Sequence, residues 1–126
     1  MSCLQINAST DYAIRLLLCL AKASVPIPSS KLAAAIGVSS RYLLQIGARL
    51  RDAGFIAAAH GSTGGFSLKL PPTEIKLYDV IDAVERKQHK RHSSGAERFR
   101  SLEAAYTYID TVLHDILKNI SIESLL

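Results

Sequence analysis

Residues 29–37 and 39–54 decide the fold, and they read SSKLAAAIG and SSRYLLQIGARLRDAG. The first run is a short amphipathic pattern that ends at Gly37. The second begins at Ser39 or Ser40, after a turn of only a few residues. Two helices joined by a tight turn that contains glycine form a helix–turn–helix. The sequence therefore predicts this motif in the first half of the chain.

A β-hairpin is predicted directly after the second helix. Residues 55–59 and 66–70 are short apolar runs, and the sequence between them, HGSTGG, is rich in glycine. Glycines allow positive φ angles at a hairpin tip. This tip lacks the Lys-Ser/Thr ending of a P-loop and the GxGxxG spacing of dinucleotide-binding loops, so we do not expect a nucleotide site. The hairpin is typical of the wing of a winged helix–turn–helix.

The second helix of the motif has two different faces. Leu43, Ile46, Leu50 and Ala53 recur at three- and four-residue steps and are predicted to face the core. The opposite face is mostly polar and cationic, which suits the major groove of DNA. We predict DNA contacts from Ser39, Ser40, Arg41, Tyr42, Gln45, Arg49 and Arg51, and from His60, Ser62, Thr63 and Lys69 in the wing.

The chemistry of these side chains suggests particular contacts with DNA. For some of them a structural role within the protein is an alternative. Gln45 can pair with adenine in a bidentate manner, and Arg41 or Arg49 can reach guanine or phosphate. Hydroxyl groups and the N–H groups of a helix N-terminus suit phosphate oxygens. Tyr42 could equally pack against the first helix, and Ser39 or Ser40 would cap any helix.

Composition and charge agree with a protein that binds an acidic partner. The chain has 126 residues, 48% apolar and 21% charged, and a net charge of +4 with a pI near 9.2. Its basic residues concentrate in residues 28–70 and 86–100, whereas residues 71–85 are mostly acidic. No run is long enough to span a membrane, and no signal peptide is recognisable. We expect one globular domain by length, located in the cytoplasm.

Further helices are predicted on both sides of the motif. A first helix runs to about Ala23 from an N-cap at Asn7, Ser9 or Thr10, and Ser29 or Ser30 caps the second. After the wing, residues 77–85 form a short amphipathic helix whose acidic face, Asp79, Asp82 and Glu85, is expected to be exposed. We divide the chain into a winged domain (1–85), a basic linker (86–97) and a dimerisation helix with its tail (98–126).

The last helix, predicted over about residues 97–119, carries a heptad pattern. Apolar residues alternate four and three positions apart, at Leu102, Tyr106, Ile109, Leu113, Ile116 and Ile120. Such a stripe could pack within its own chain. Because the helix is longer than the others, and because helix–turn–helix proteins commonly bind two half-sites, we predict that it forms a homodimer.

Several motifs, taken in order, resemble the Rrf-type winged-helix regulators, which include the IscR, NsrR and CymR repressors. They are DYAIR (11–15), SSRYL (39–43), LRDAGFI (50–56), GGFSL (64–68) and DVIDAVE (79–85). The resemblance covers about two thirds of the chain. It implies a mainly α fold with a small β-hairpin wing, a long C-terminal dimerisation helix, and a dimeric transcription regulator of double-stranded DNA.

The resemblance also exposes differences. Several family members bind an iron–sulfur cluster through three cysteines in the loop after the Val-Glu segment, but residues 86–100 contain no cysteine. We therefore expect no cofactor. His60 stands where the family usually has arginine, and Leu44 stands where the residue is often acidic. Both changes alter the expected operator.

Other sites and functions receive less support. His89 and His92 have a spacing that could bind a metal, but four cations surround them. Cys19 is expected to be a packing residue, and Cys3 is a candidate thiol switch. No catalytic set stands out, so an enzyme is not expected. Besides a DNA-binding repressor, two hypotheses stay open: a protein-binding winged module, and a metal or redox sensor that uses histidines or cysteines. An effector or partner protein is also left open.

Overall fold

The computed structural model describes residues 7–61, 64–85 and 99–126. In these ranges the helices are α1 (Ala8–Ala21), α2 (Ser29–Ile36), α3 (Ser40–Asp52), α4 (Leu77–Glu85) and α5 (Arg100–Lys118). The strands are β1 (Ile56–Ala59) and β2 (Gly65–Leu68), and short 3₁₀ turns lie at Pro72–Glu74 and Glu123–Leu125. The predicted fold class, mainly α with a β-hairpin, is confirmed.

The turn between α2 and α3 forms as the sequence predicts. Gly37 has a φ angle of 85°, and its N–H donates to the carbonyl of Ala33 over 2.8 Å. A left-handed residue at this place ends a helix at little cost only when it is glycine. Two residues later, the hydroxyl of Ser39 accepts a hydrogen bond from the N–H of Tyr42 over 3.1 Å and caps α3. The helix–turn–helix is therefore defined by a glycine stop and a serine start.

Three predictions about helix ends and faces were wrong. Pro28, not Ser29 or Ser30, occupies the N-cap of α2, because its carbonyl already accepts the first helical N–H groups. Ala53, predicted to face the core, is the exposed C-cap of α3. Glu85 is 8% exposed rather than solvent-facing, since it lies on the buried side of the last turn of α4.

The wing is a two-stranded antiparallel hairpin with a short third edge. Ile56 pairs with Leu68 and Ala59 with Gly65, so the strands are shorter than predicted. Ile27, just before α2, exchanges two backbone hydrogen bonds of 2.9 Å with Phe66. This bridge ties the wing to the chain that enters the helix–turn–helix, so the wing and the motif hold a fixed relative position.

Gly65→Ala should destabilise the protein by about 3 kcal/mol. Gly65 has a φ angle of 149°, and a Cβ atom there would overlap the backbone carbonyl of Ile27. The bridge between Ile27 and Phe66 would have to open. Urea unfolding of Gly65→Ala and of the neighbouring control Ser67→Ala measures the effect. A loss no larger than that of the control would contradict this account of the bridge.

One hydrophobic core joins the helices to the wing and to the C-terminal tail. Leu16 and Leu17 of α1 are fully buried at its centre, and Leu43 and Leu50 of α3 are fully buried against them. Ile122, after α5, is also fully buried and belongs to the same cluster. The predicted division at residues 85 and 98 separates segments along the chain, but both segments contribute to this core.

The tail returns to the beginning of α4. Its backbone makes two hydrogen bonds there: Leu77 N–H donates to the carbonyl of Ile120 over 2.8 Å, and Ile122 N–H donates to Ile75 over 2.9 Å. One turn before the end of α5, the His114 ring packs edge-on against Tyr78 of α4, with centroids 3.9 Å apart. The C-terminal end of α5 is therefore attached to α4 by both backbone and side-chain contacts.

Candidate nucleic-acid interface

Helix α3 presents one buried and one exposed face. Leu43, Ile46 and Leu50 are almost completely buried. Asp52, the last residue of α3, is exposed. The other exposed side chains of the helix are those of Ser40, Arg41, Leu44, Gln45, Arg49 and Arg51. We call these six residues the reading face. Of the residues predicted to contact DNA from α3, all except the cap Ser39 and Tyr42 lie on it, and Ser39 is exposed beside it.

The N-terminal end of α3 is well suited to an anion. Ser39 satisfies one of the free N–H groups by capping, and the first turn of the helix contains no acidic residue. The remaining N–H groups carry the positive end of the helix dipole. Backbone donors of this kind bind phosphate oxygens readily. This end of α3 can therefore contact a DNA backbone without any further side chain.

Tyr42 takes the structural alternative that the sequence left open. Its side chain is half-buried, and its ring meets that of Tyr12 in α1 edge-on, with centroids 5.8 Å apart and planes at 87°. Aromatic pairs in this geometry are stabilising. Ser9, Tyr42, Gln45, Ile46 and Arg49 also line one open pocket beside the reading face. The ring of Tyr42 thus helps to orient α3 on α1.

Arg49 has an intramolecular partner that the sequence did not indicate. Its Nη1 donates to the backbone carbonyl of Val84, in the last turn of α4, over 3.1 Å. Carbonyls at a helix C-terminus lack helical partners and carry partial negative charge, so a cation is favoured there. Arg49 therefore links α3 to α4, whereas the structure records no partner for Arg51 within the described ranges. No sequence signal marks a contact between residues 35 positions apart.

The wing residues fall at two different places. His60 is exposed at the end of β1, next to the hairpin tip. Lys69 is exposed but lies one residue after β2, at the base of the hairpin, where its N–H donates to Phe55. Ser62 and Thr63, the tip residues predicted to approach DNA, lie outside the described residues. The wing therefore offers cationic or imidazole groups at both ends.

The wing and the reading helix are packed against each other. Phe66 of β2 is buried, and its ring lies so close to Gly47 that a Cβ atom there would be 2.9 Å from Cζ. This contact occurs midway along α3, where Gly47 is one of the buried residues of the helix. The wing can therefore pack this close to α3 because the ring of Phe66 meets Gly47, which has no side chain.

The predicted seam of α5 is exposed over most of its length. Leu102, Tyr106, Ile109 and Ile116 are each between 44% and 51% exposed, and α5 contains no buried residue. Leu113 is half-buried. Ile120 lies beyond Lys118, the last residue of α5, and is partly buried against the core of its own chain, so its place in the seam stays a prediction. Val112, at 39% exposure, extends the apolar stripe.

The sequence of the chain matches a protein family over nearly its whole length. A family model named Rrf2, described as "Iron-dependent Transcriptional regulator", matches residues 6–126. The chain belongs to the Rrf2 family. The resemblance of the motifs to this family is confirmed.

Individual relatives agree with this membership. The chain is 32% identical over 96 residues to the HTH-type transcriptional regulator IscR of Aliivibrio salmonicida, a match that covers 76% of this chain and 56% of that protein. It also matches 54% of the length of Protein aau3 of Rhizobium meliloti, so it spans just over half of these two relatives. None of the helices within the described ranges is long and apolar enough to cross a membrane.

Two solved structures share the fold of this chain. The structure of T. potens IscR superposes with a TM-score of 0.81 at 24% identity, covering 98% of this chain and 86% of that one. The structure of CymR, the global cysteine regulator of B. subtilis, has the same TM-score and identity and covers 97% and 95%. At this identity the agreement shows the fold alone.

The donor groups of this chain do not fit a cluster held by three cysteines. The whole chain has two cysteines, and Cys19 is a half-buried residue inside α1. Cys3, His89 and His92 lie outside the described residues. Within the residues described, no three histidine, cysteine, aspartate or glutamate side chains come together as a metal site. One chain therefore cannot provide the three thiolates.

Proposed function

We propose that this Rrf2 chain is a sequence-specific DNA-binding regulator that acts as a homodimeric repressor on an operator with two half-sites, without an iron–sulfur cluster. The observation that carries the proposal is the reading face of α3. It exposes three arginines and a glutamine on a helix whose N-terminal turn lacks acidic residues, and it lies beside a wing. Such a surface complements both the phosphates and the base edges of a major groove.

The roles of the individual residues follow from their positions. Gln45 and Arg41 lie in the first half of α3, where side chains meet base edges, and they suit adenine and guanine respectively. Ser39, Ser40 and the helix N-terminus suit phosphate, as does Arg51 at the other end of α3. We assign His60, Ser62, Thr63 and Lys69 of the wing to backbone or minor-groove contacts.

Dimerisation is supported by the apolar stripe of α5. Leu102, Ile109 and Ile116 are spaced by seven residues, and each exposes about half of its side chain. Large apolar patches on a protein surface are typical of interaction sites. Because α5 projects the same face along its length, a second copy of the chain can pack against it with two-fold symmetry.

Repression without a cluster is the simplest mode that these residues support. A dimer that covers an operator excludes other proteins from it, and this requires no bound group. Since the chain lacks three thiolates, a signal has to act through another ligand, a partner protein or Cys3.

The test of this proposal is selection of bound DNA from a random duplex pool. The expected result is an enriched sequence with two symmetric half-sites, and a dimer in sedimentation analysis of the free protein. Binding should weaken steeply with salt, because phosphate contacts release counterions. Failure to enrich any sequence would reject sequence-specific DNA binding and favour the protein-binding winged module. Metal analysis of protein purified without oxygen should find no stoichiometric iron.

Ser39→Asp should separate the stability of α3 from its affinity for DNA. Aspartate caps a helix as well as serine does, so the free energy of unfolding should stay within about 0.5 kcal/mol of the original. The added charge would face the phosphates, and we expect operator affinity to fall at least tenfold. Thermal melts and fluorescence anisotropy measure the two quantities.

Ser39→Ala is the matched control for this charge effect. It should cost about 1 kcal/mol of stability through the lost cap, while its affinity for DNA falls much less than that of the aspartate variant. Equal affinity of the aspartate variant and the original protein would show that this end of α3 does not approach phosphate.

A further inference from the structure

Leu44 is an apolar side chain in the middle of the reading face. It is 50% exposed, and it is absent from the residues that pack against the hydrophobic core. The other exposed side chains of α3 around it, Arg41 and Gln45, are polar. A single exposed leucine is common on protein surfaces and does not by itself indicate a binding site. The location of this leucine on the reading face is the informative observation.

The neighbours of Leu44 along the helix are small. Residues three and four positions away lie next to it on the helix surface, and they include Ser40, Gly47 and Ala48. None of these can cover the isobutyl group, so it protrudes from the helix. Arg41, three residues before it, is the long neighbour and is exposed as well. Leu44 therefore forms an apolar tip between polar side chains that suit base edges.

We propose that Leu44 recognises a thymine by packing against its C5-methyl group. This inference rests on the proposed function, because it requires α3 to enter a major groove. There, thymine is the base that presents a methyl group, and apolar side chains discriminate it by direct contact. The adjacent Gln45 projects about 100° further around the helix. The two side chains together predict a thymine next to an adenine contact within each half-site.

The experiment replaces thymine by uracil, one position at a time, in the operator obtained by selection. Uracil keeps every hydrogen-bonding group and removes only the methyl group. At one position in each half-site, the affinity of the original protein should fall by about fourfold, the value expected for one buried methyl group. Substitution in both half-sites should give about a fifteenfold loss in affinity, because the two contacts are equivalent.

Leu44→Ala identifies the side chain responsible. In this variant the same uracil substitution should have no effect, since the partner of the methyl group is already gone. Val25→Ala is the control, because Val25 is a 68% exposed aliphatic residue outside α3. It should retain the full response to uracil. Both variants should melt at the temperature of the original protein, because neither side chain is buried.

Two results would overturn the assignment. One is a uracil response that is the same in Leu44→Ala as in the original protein at every position. The other is a Leu44→Ala variant whose dimerisation, rather than its response to uracil, is changed, which would assign the side chain to a protein contact. If selection enriches an operator and either result appears, the assignment of Leu44 to thymine is wrong while the proposed function stands. If no sequence is enriched, both fail.

Discussion

Ile109→Asp should convert the proposed dimer to a monomer and reduce operator affinity at least a hundredfold. Ile109 lies midway along α5 and is 51% exposed, between Leu102 and Ile116 on the same stripe. A carboxylate buried in the centre of an apolar interface without a partner costs several kcal/mol. The monomer then binds one half-site and loses the gain in affinity that comes from the second.

Tyr108→Asp provides the matched control for this result. Tyr108 is the residue just before Ile109 in α5 and is 71% exposed, but it projects about 100° away from Ile109. This variant should remain dimeric and bind the operator normally. Sedimentation equilibrium and fluorescence anisotropy on both variants decide the matter. Dimers of Ile109→Asp together with monomers of Tyr108→Asp would place the interface on another face of α5.

Arg51→Ala should weaken operator binding by about thirtyfold near physiological salt, because a dimer loses two phosphate contacts. The slope of log affinity against log salt concentration should fall by about two for the same reason. Titrations between about 50 and 200 mM salt measure this slope. An unchanged slope would show that Arg51 is not at the DNA backbone.

Arg49→Ala is the informative comparison, because its guanidinium already has a protein partner. Loss of its hydrogen bond to the Val84 carbonyl should lower the free energy of unfolding by about 1 kcal/mol. Arg51→Ala should leave stability unchanged. From sequence alone we would expect the two arginines to behave alike. The structure separates them, since it attaches Arg49 to α4 and leaves Arg51 on the surface.

Periodicity and turn chemistry were sufficient to predict most of the fold. Glycine at residue 37 and serine at residue 39 are local signals, and local signals define where helices end and begin. The buried positions Leu43, Ile46 and Leu50 follow from helical spacing alone. The strands of the wing follow in the same way from two apolar runs around a glycine-rich tip.

Contacts between distant parts of the chain could not be predicted in this way. Ile122 is fully buried, but nothing in its immediate sequence distinguishes it from a residue in an exposed tail. The same limit explains Ile120, which continues the heptad spacing but lies past the end of α5. For the candidate site, the exposed residues of α3 were predictable from the period. The partner of Arg49 was not, because it belongs to α4, whereas packing of Tyr42 against α1 was one of two alternatives that the sequence left open.

The contact of the tail with α4 has a consequence for the spacing between two operator half-sites. Leu77 and Ile75 hold the chain just beyond α5 by backbone hydrogen bonds, and Tyr78 holds its last turns. Helix α5 is then about 28 Å long, and its C-terminal end is fixed to the winged domain. In a dimer formed along α5, the angle between α5 and the winged domain sets the distance between the two reading faces. Half-site spacing would thus be encoded at α4 and the tail, far from any residue that touches DNA.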